Sequence, residues 1–109
     1  VVSAQQAFDM VTLDAAKTIG KGDHLGSLEV GKQADLAIVN LDQPHLTPSP
    51  DPVHALVYGL QGFEIETVFC AGDILMEDRE LVHLDSSIGE IIGDATEAAA
   101  DIVERVGIS

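Results

Sequence analysis

Residues 65–77 read IETVFCAGDILME, and this stretch decides the fold. Two β-rich runs, Ile65 to Cys70 and Asp73 to Glu77, flank a tight turn at Ala71 and Gly72, which is the signature of a β-hairpin. On its C-terminal side Glu80 to Leu84 is expected to add a further strand. On its N-terminal side lies ADLAIVNL, residues 34–41, apolar at nearly every position, as a strand covered on both faces would be. A short strand is also expected around Ser27 to Val30, within a segment punctuated by Gly20, Gly22, Gly26 and Gly31.

Between these strands, Gln43 to Pro52 carries Pro44, Pro48, Pro50 and Pro52 and reads as an extended connection. Asp51 as N-cap with Pro52 at the first helical position opens a helix whose Val53, Leu56, Val57 and Leu60 share one face, closed by Gly59 or Gly62. Helices also stand at the two ends. Ser3 and Gln6 form a capping box, and Ala4, Phe8, Val11, Ala15 and Ile19 recur at helical spacing until Gly20, so one helix is expected over 4–19. Ser87 and Glu90 form a second box. After it Ile88, Ile91, Ile92, Ala95, Ala99, Ile102, Val103 and Val106 repeat at three and four residues, opposite a solvated face of Glu90, Asp94, Glu97, Asp101 and Glu104. The expected organisation is thus α+β: a first helix and loop over 1–25, strands with one inserted helix over 26–84, and a C-terminal amphipathic helix over 85–109.

Composition sets the outer bounds. The chain has 109 residues, enough for one domain, and 19 acidic against 5 basic side chains give a formal charge of −14. With 46% hydrophobic residues and a slightly positive mean hydropathy, it is expected to bury a modest core, roughly two-thirds of its extended-chain surface at this size. A single cysteine excludes an internal disulfide framework. Every apolar run stops well short of the roughly 18 residues a membrane helix needs, and no secretory leader opens the chain, so a soluble, cytoplasmic protein is expected. Val1 in place of Met points to a piece of something longer. Lys17, Lys21, Lys32, Arg79 and Arg105 are too few and too scattered to track phosphates, so neither nucleic acid nor an anionic membrane is an expected partner. The acids are spread over nearly the whole chain. They suit either a surface adapted to very high salt, the reading favoured by the scarcity of Lys, or a basic partner.

No motif supplies a self-contained catalytic set. GSLEVGK, residues 26–32, has the glycine and lysine spacing of a phosphate loop, but Gln33 stands where Ser or Thr should hold magnesium, and a β-rich run follows instead of a helix. A turn at Val30, Gly31 and Lys32 is the expected structure. His24, His45, His54 and His83 never fall at spacings that aim two imidazoles at one metal, and each is expected in a surface or capping role. Cys70 has no cationic neighbour in sequence and is expected as a buried structural thiol.

The ordered pieces GSLEVGKQADLAIVNLDQPHLTP (26–48), DPVHALVYG (51–59) and IETVFCAGDILMEDREL (65–81) closely resemble the C-terminal segment of amidohydrolase-superfamily enzymes of the cytosine deaminase type. Within that group they are most similar to S-adenosylhomocysteine and 5′-methylthioadenosine deaminases and the related chlorohydrolases. The resemblance spans roughly residues 4–84. It implies a (β/α)8 barrel elsewhere in the parent protein, holding zinc or iron that activates water to displace ammonia or chloride from a heteroaromatic ring. The first helix would dock on that barrel, and residues 26–84 would be part of a small β-sandwich with hairpins and flanking helices.

The family's metal ligands, a His-x-His pair, further histidines and an Asp after the eighth barrel strand, have no counterpart in residues 1–109. No catalytic, cofactor-binding or metal residue is therefore carried over, and His45 and Asp51, which match family positions in the PH and DP segments, are given no ligand role. The expected partners are the remainder of the parent enzyme and, through unpaired strand edges or helix docking, further copies of the chain. The alternative is a stand-alone acidic protein-interaction module without enzymatic activity.

Overall fold

The computed structural model describes residues 1–107. In chain order the elements are α1 (Ala4–Val11), α2 (Leu13–Thr18), β1 (Leu36–Val39), α3 (Pro52–Tyr58), β2 (Ile65–Cys70), β3 (Asp73–Glu77), β4 (Glu80–Leu81) and α4 (Ile88–Val106). The fold is α+β, with one four-stranded antiparallel sheet in the order β1-β2-β3-β4.

The hairpin at the centre of the sheet forms as its sequence predicts. Ala71 and Gly72 both take positive φ, at 49° and 85°, the twist that matches two right-handed strands. Ala71 is an unusual residue for that conformation, and Asp35, just before β1, supports it by accepting the Ala71 N–H at 2.7 Å. Gly72 N–H donates to Ala34 O at 3.1 Å, so the start of β1 and the hairpin tip are fastened together. In β1, Leu36 faces Phe69, Ala37 faces Val68 and Ile38 faces Thr67, before a register shift at Val39.

Several expectations are corrected. The helix over 4–19 is two helices, broken at Thr12, whose φ and ψ are −118° and −96°. Thr12 Oγ1 donates back to Phe8 O at 2.8 Å, and the Thr12 N–H turns to Asp9 O at 3.2 Å, a tightened last turn for α1. Ser27 to Val30 is not a strand; Gly26 and Gly31 at φ 97° and 94° fold it into an irregular loop closed by Lys32 N–H to Glu29 O at 3.1 Å. The last strand stops at Leu81 instead of Leu84, because pairing ends with Val82 N–H to Leu75 O and the chain then bends toward the cap of α4. β1 is not covered on both faces: Ala37 and Ile38 are exposed. The Asp51 cap, Pro52 start and Gly59 end of α3 stand as expected.

The core is also smaller than composition suggested. Among the described residues the buried apolar side chains are Ala16, Leu46 and Ala55. The accessible area is 8231 Å², against about 5,800 Å² for a compact chain of this mass. That leaves about half of the extended-chain area buried, not two-thirds. The radius of gyration, 18.4 Å, likewise exceeds the roughly 13 Å of a compact domain of this length. The reason is visible in α4, every residue of which is exposed.

Candidate functional site

The one deeply buried polar side chain among the described residues is Glu64, 1% exposed, at the entrance to β2. The loop from Gly59 to Phe63 wraps its carboxylate. Gly62, at φ 118°, turns the backbone so that two successive N–H groups point inward. Gly62 N–H donates to Oε2 at 2.7 Å, and Gln61 N–H is shared between the two oxygens at 3.1 Å. His45 Nε2 lies 2.5 Å from Oε1. Burial alone would push the carboxyl up, but hydrogen bonds from its own backbone N–H, from the His45 ring and from Gly62 and Gln61 outweigh it and hold the pKa down at about 2. The carboxylate is therefore ionised, and the facing imidazole nitrogen is the donor.

The neighbourhood extends outward in layers. The Phe63 ring lies against His45 with centroids 5.4 Å apart, and the Arg79 guanidinium carbon sits 5.9 Å from the Phe63 centroid. Glu64 O accepts from Asn40 N–H at 2.8 Å, and Asn40 Nδ2 donates to Glu66 Oε1 at 3.1 Å, which joins the centre to the end of β1. Leu46, next to His45, is buried against α3. Gly59 makes that contact close: a Cβ there would meet Leu46 Cδ2 at 2.6 Å and Ala55 O at 3.1 Å. Beside this centre is a shallow concavity of about 230 Å³ touched by His45, Ser49, His54 and Tyr58. A wider hollow of about 500 Å³ is lined by one face of α4 alone and is the flank of a single helix, not a cleft.

Chemically, the Glu64 centre clasps a loop. One imidazole faces one carboxylate, and that carboxylate's remaining capacity goes to backbone amides. Among the described residues no three His, Cys, Asp or Glu side chains converge on a point where a metal could sit. A zinc ion needs three or four such ligands, so the donor set present here does not fit one.

The histidines separate accordingly. His54 stacks on Tyr58 with centroids 4.6 Å apart, one turn along α3, and His24 and His83 are exposed. His45 is exposed as a residue, as expected, but its ring is only 28% exposed and pairs with a buried acid nineteen residues away. Cys70 is exposed, not buried, because it ends β2 at the hairpin tip. Lys32 of the GSLEVGK stretch is engaged by Ser27 Oγ at 2.7 Å and Glu29 at 3.0 Å, in a loop that leads to β1 and not to a helix. Glu64 was missed in the sequence because nothing local distinguishes it from eighteen other acids. The one available signal was its position two residues after Gly62 and immediately before the β-rich run Ile65 to Cys70.

The fold and its centre thus define a class: an α+β segment with a polar clasp and, among the described residues, no three converging His, Cys, Asp or Glu side chains. Its relationships are consistent with that class. The profile of the amidohydrolase family matches residues 1–75, more than half of the chain. The 5-methylthioadenosine/S-adenosylhomocysteine deaminase of Halobacterium salinarum is 37% identical over 106 residues, covering 97% of this chain and 24% of that protein. An adenosine deaminase from Xanthomonas campestris, solved with bound zinc, superposes with a TM-score of 0.86 at 31% identity, over 92% of this chain and 22% of the other. The atrazine chlorohydrolase of Arthrobacter aurescens TC1, complexed with zinc, superposes with a TM-score of 0.77 at 28% identity, over 88% and 20%. The chain belongs to the amidohydrolase family. It spans about a fifth to a quarter of the curated relatives it matches.

Proposed function

We propose that this chain is the non-catalytic C-terminal scaffold segment of a metal-dependent amidohydrolase. The whole enzyme would hydrolyse a C–N bond, releasing ammonia, or a C–Cl bond, on a purine-like or related heteroaromatic ring. The observation that carries this reading is the superposition on a zinc-bound deaminase over 92% of this chain but only 22% of that protein. Zinc or iron would reside in the barrel of the parent protein. Exposed apolar groups fit the missing neighbours. Met10 and Val11 on α1 would dock on the barrel, and Leu28, Val30 and Ile38 would be covered by a second sheet that completes a small β-sandwich.

The test is a chimera. The corresponding segment of the Halobacterium salinarum deaminase is replaced by residues 1–109, and ammonia release from 5′-methylthioadenosine is followed. The expected chimera deaminates at a rate within an order of magnitude of the parent. A chimera that folds and binds zinc yet shows no turnover would overturn the assignment.

We further propose that the surface is adapted to molar salt in a cytoplasmic setting. All of the 19 acids except Asp9, Glu64 and Glu66 are exposed, against five basic residues. Such a surface repels itself until counterions screen it, and a chain with one exposed, unpaired cysteine suits a reducing compartment. Thermal melting in dilute buffer and in molar KCl decides it: a higher Tm in salt is expected, and an unchanged Tm contradicts it.

A further inference from the structure

The two edges of the sheet are not alike. On one side β4 is Glu80–Leu81 alone, two residues of which one is charged. On the other side β1 reads Leu36-Ala37-Ile38-Val39, with no charge, proline or glycine in it. Its ladder to β2 extends past both ends: Ala34 O accepts from Gly72 N–H at 3.1 Å, and Asn40 N–H donates to Glu64 O at 2.8 Å. The one irregularity in this pair places its extra residue, Glu66, on β2 and leaves β1 straight. Soluble proteins blunt a free edge with brevity, charge, proline or a bulge on the edge strand. β4 carries the first two of these devices. Along the whole Ala34–Asn40 ladder β1 has only Asp35, which is turned to the hairpin tip.

The same two hydrogen bonds fix the direction of every backbone group between them. In an antiparallel pair successive residues turn their N–H and C=O alternately toward the partner strand and away from it. Ala34 and Asn40 both face β2 and are an even number of residues apart, and the pairing of Leu36 with Phe69, Ala37 with Val68 and Ile38 with Thr67 runs unbroken between them. Leu36 and Ile38 therefore also face β2. Ala37 and Val39 turn their N–H and C=O groups to the open side, where no other strand lies among the described residues. Ala37 and Ile38 are exposed there. The edge thus presents two donors and two acceptors, repeating at roughly 7 Å along a neutral stretch, and the chemistry that matches this pattern is an extended peptide backbone.

We propose that β1 receives on this open edge an extended strand from the part of the parent protein outside residues 1–109, so that the sheet continues in its own plane through the backbone of Ala37 and Val39. This addition is separate from any second sheet that covers its face. It rests on the scaffold reading above: the chain superposes over 92% of its own length on an enzyme of which it makes up 22%, which leaves the larger part of such a protein to supply the strand. A strand of the same parent also arrives at high effective concentration. A second copy of this chain is the poorer occupant. It brings another formal charge of −14, and Asp35 and Asp42, both exposed, bracket β1 on each copy.

Amide hydrogen exchange resolved to single residues tests this. In the isolated 109-residue chain the Ala37 and Val39 amides are expected to exchange roughly tenfold faster than those of Leu36, Ile38 and Asn40. In the chimera with the Halobacterium salinarum deaminase they are expected to slow to the rates of those neighbours. Ala37→Pro removes an N–H that β2 does not use, so the isolated chain should keep its Tm, while Val39 in the chimera should return to fast exchange. Ala37→Val, which keeps the N–H, should leave Val39 slow. Fast Ala37 and Val39 amides in a chimera that turns over would overturn the edge pairing and leave the scaffold reading standing. Slow amides in a folded, zinc-loaded chimera without turnover would support the pairing and sink the scaffold reading. Protection in the isolated chain that grows with its concentration would give the edge to a second copy and overturn the proposal.

Discussion

The region around Glu64 and the helix α4 are built on opposite principles. Around Glu64 the hydrogen bonds are long in sequence: His45 to Glu64 spans 19 residues, Asn40 to Glu66 spans 26 and Ala71 to Asp35 spans 36. In α4 they are local, Glu90 N–H to Ser87 Oγ at 3.1 Å and Arg105 to Asp101 at 2.7 Å, and no side chain is buried. The first region is held by what the fold brings together. The second is held by helix propensity and a cap, and its apolar stripe stays uncovered. Most helical stability in proteins comes from packing an apolar face, and α4, with no buried residue, draws none from the rest of the described chain.

The largest break in this comparison is Glu64→Ala. It strands the Gln61 and Gly62 amides and the His45 ring together, and it is expected to lower the Tm by on the order of 10 °C, leaving the α4 signal by NMR unchanged. Next is Gly59→Ala. Its new Cβ would press on Leu46 Cδ2 at 2.6 Å, and a loss of about 1–3 kcal/mol in urea unfolding is expected. Because the Glu64 pKa is lowered from 4.5 to about 2, its ionised form favours the folded state. That stabilisation is complete above about pH 4.5 and is lost as pH falls toward about 2. Acid unfolding curves should show Glu64→Gln less stable than the parent near neutrality but losing less over that window; parallel curves would deny the clasp its charge. The smallest effect is Ser87→Ala, which removes the N-cap of α4 and should cost about 1 kcal/mol of helix, read as lost ellipticity with the sheet's amide protection intact.

The same contrast explains what was legible in the sequence. α4, α3 and the central hairpin were read correctly because their signals are local: Ser87 before an apolar repeat, Asp51 before Pro52, and two strand runs two residues apart. The break at Thr12 was hidden, since a threonine inside a good apolar stripe reads as helix and only its backbone angles, −118° and −96°, mark the interruption. The loop at Ser27 to Val30 has strand-like residues, but side-chain bonds among Ser27, Glu29 and Lys32 satisfy it locally. Glu64 and His45 were illegible as a pair, because their meeting depends on how α3 returns the chain to β2. Asp35 escaped notice for the same reason, its hydrogen-bond partner being a turn 36 residues away.

The proposed division of labour, with structure in this chain and chemistry elsewhere, has one direct test. The purified 109-residue chain is incubated with zinc and 5′-methylthioadenosine, and ammonia is measured against a blank of zinc alone. The account predicts a rate equal to the blank, unchanged by His45→Ala; turnover above the blank that disappears in His45→Ala would contradict it.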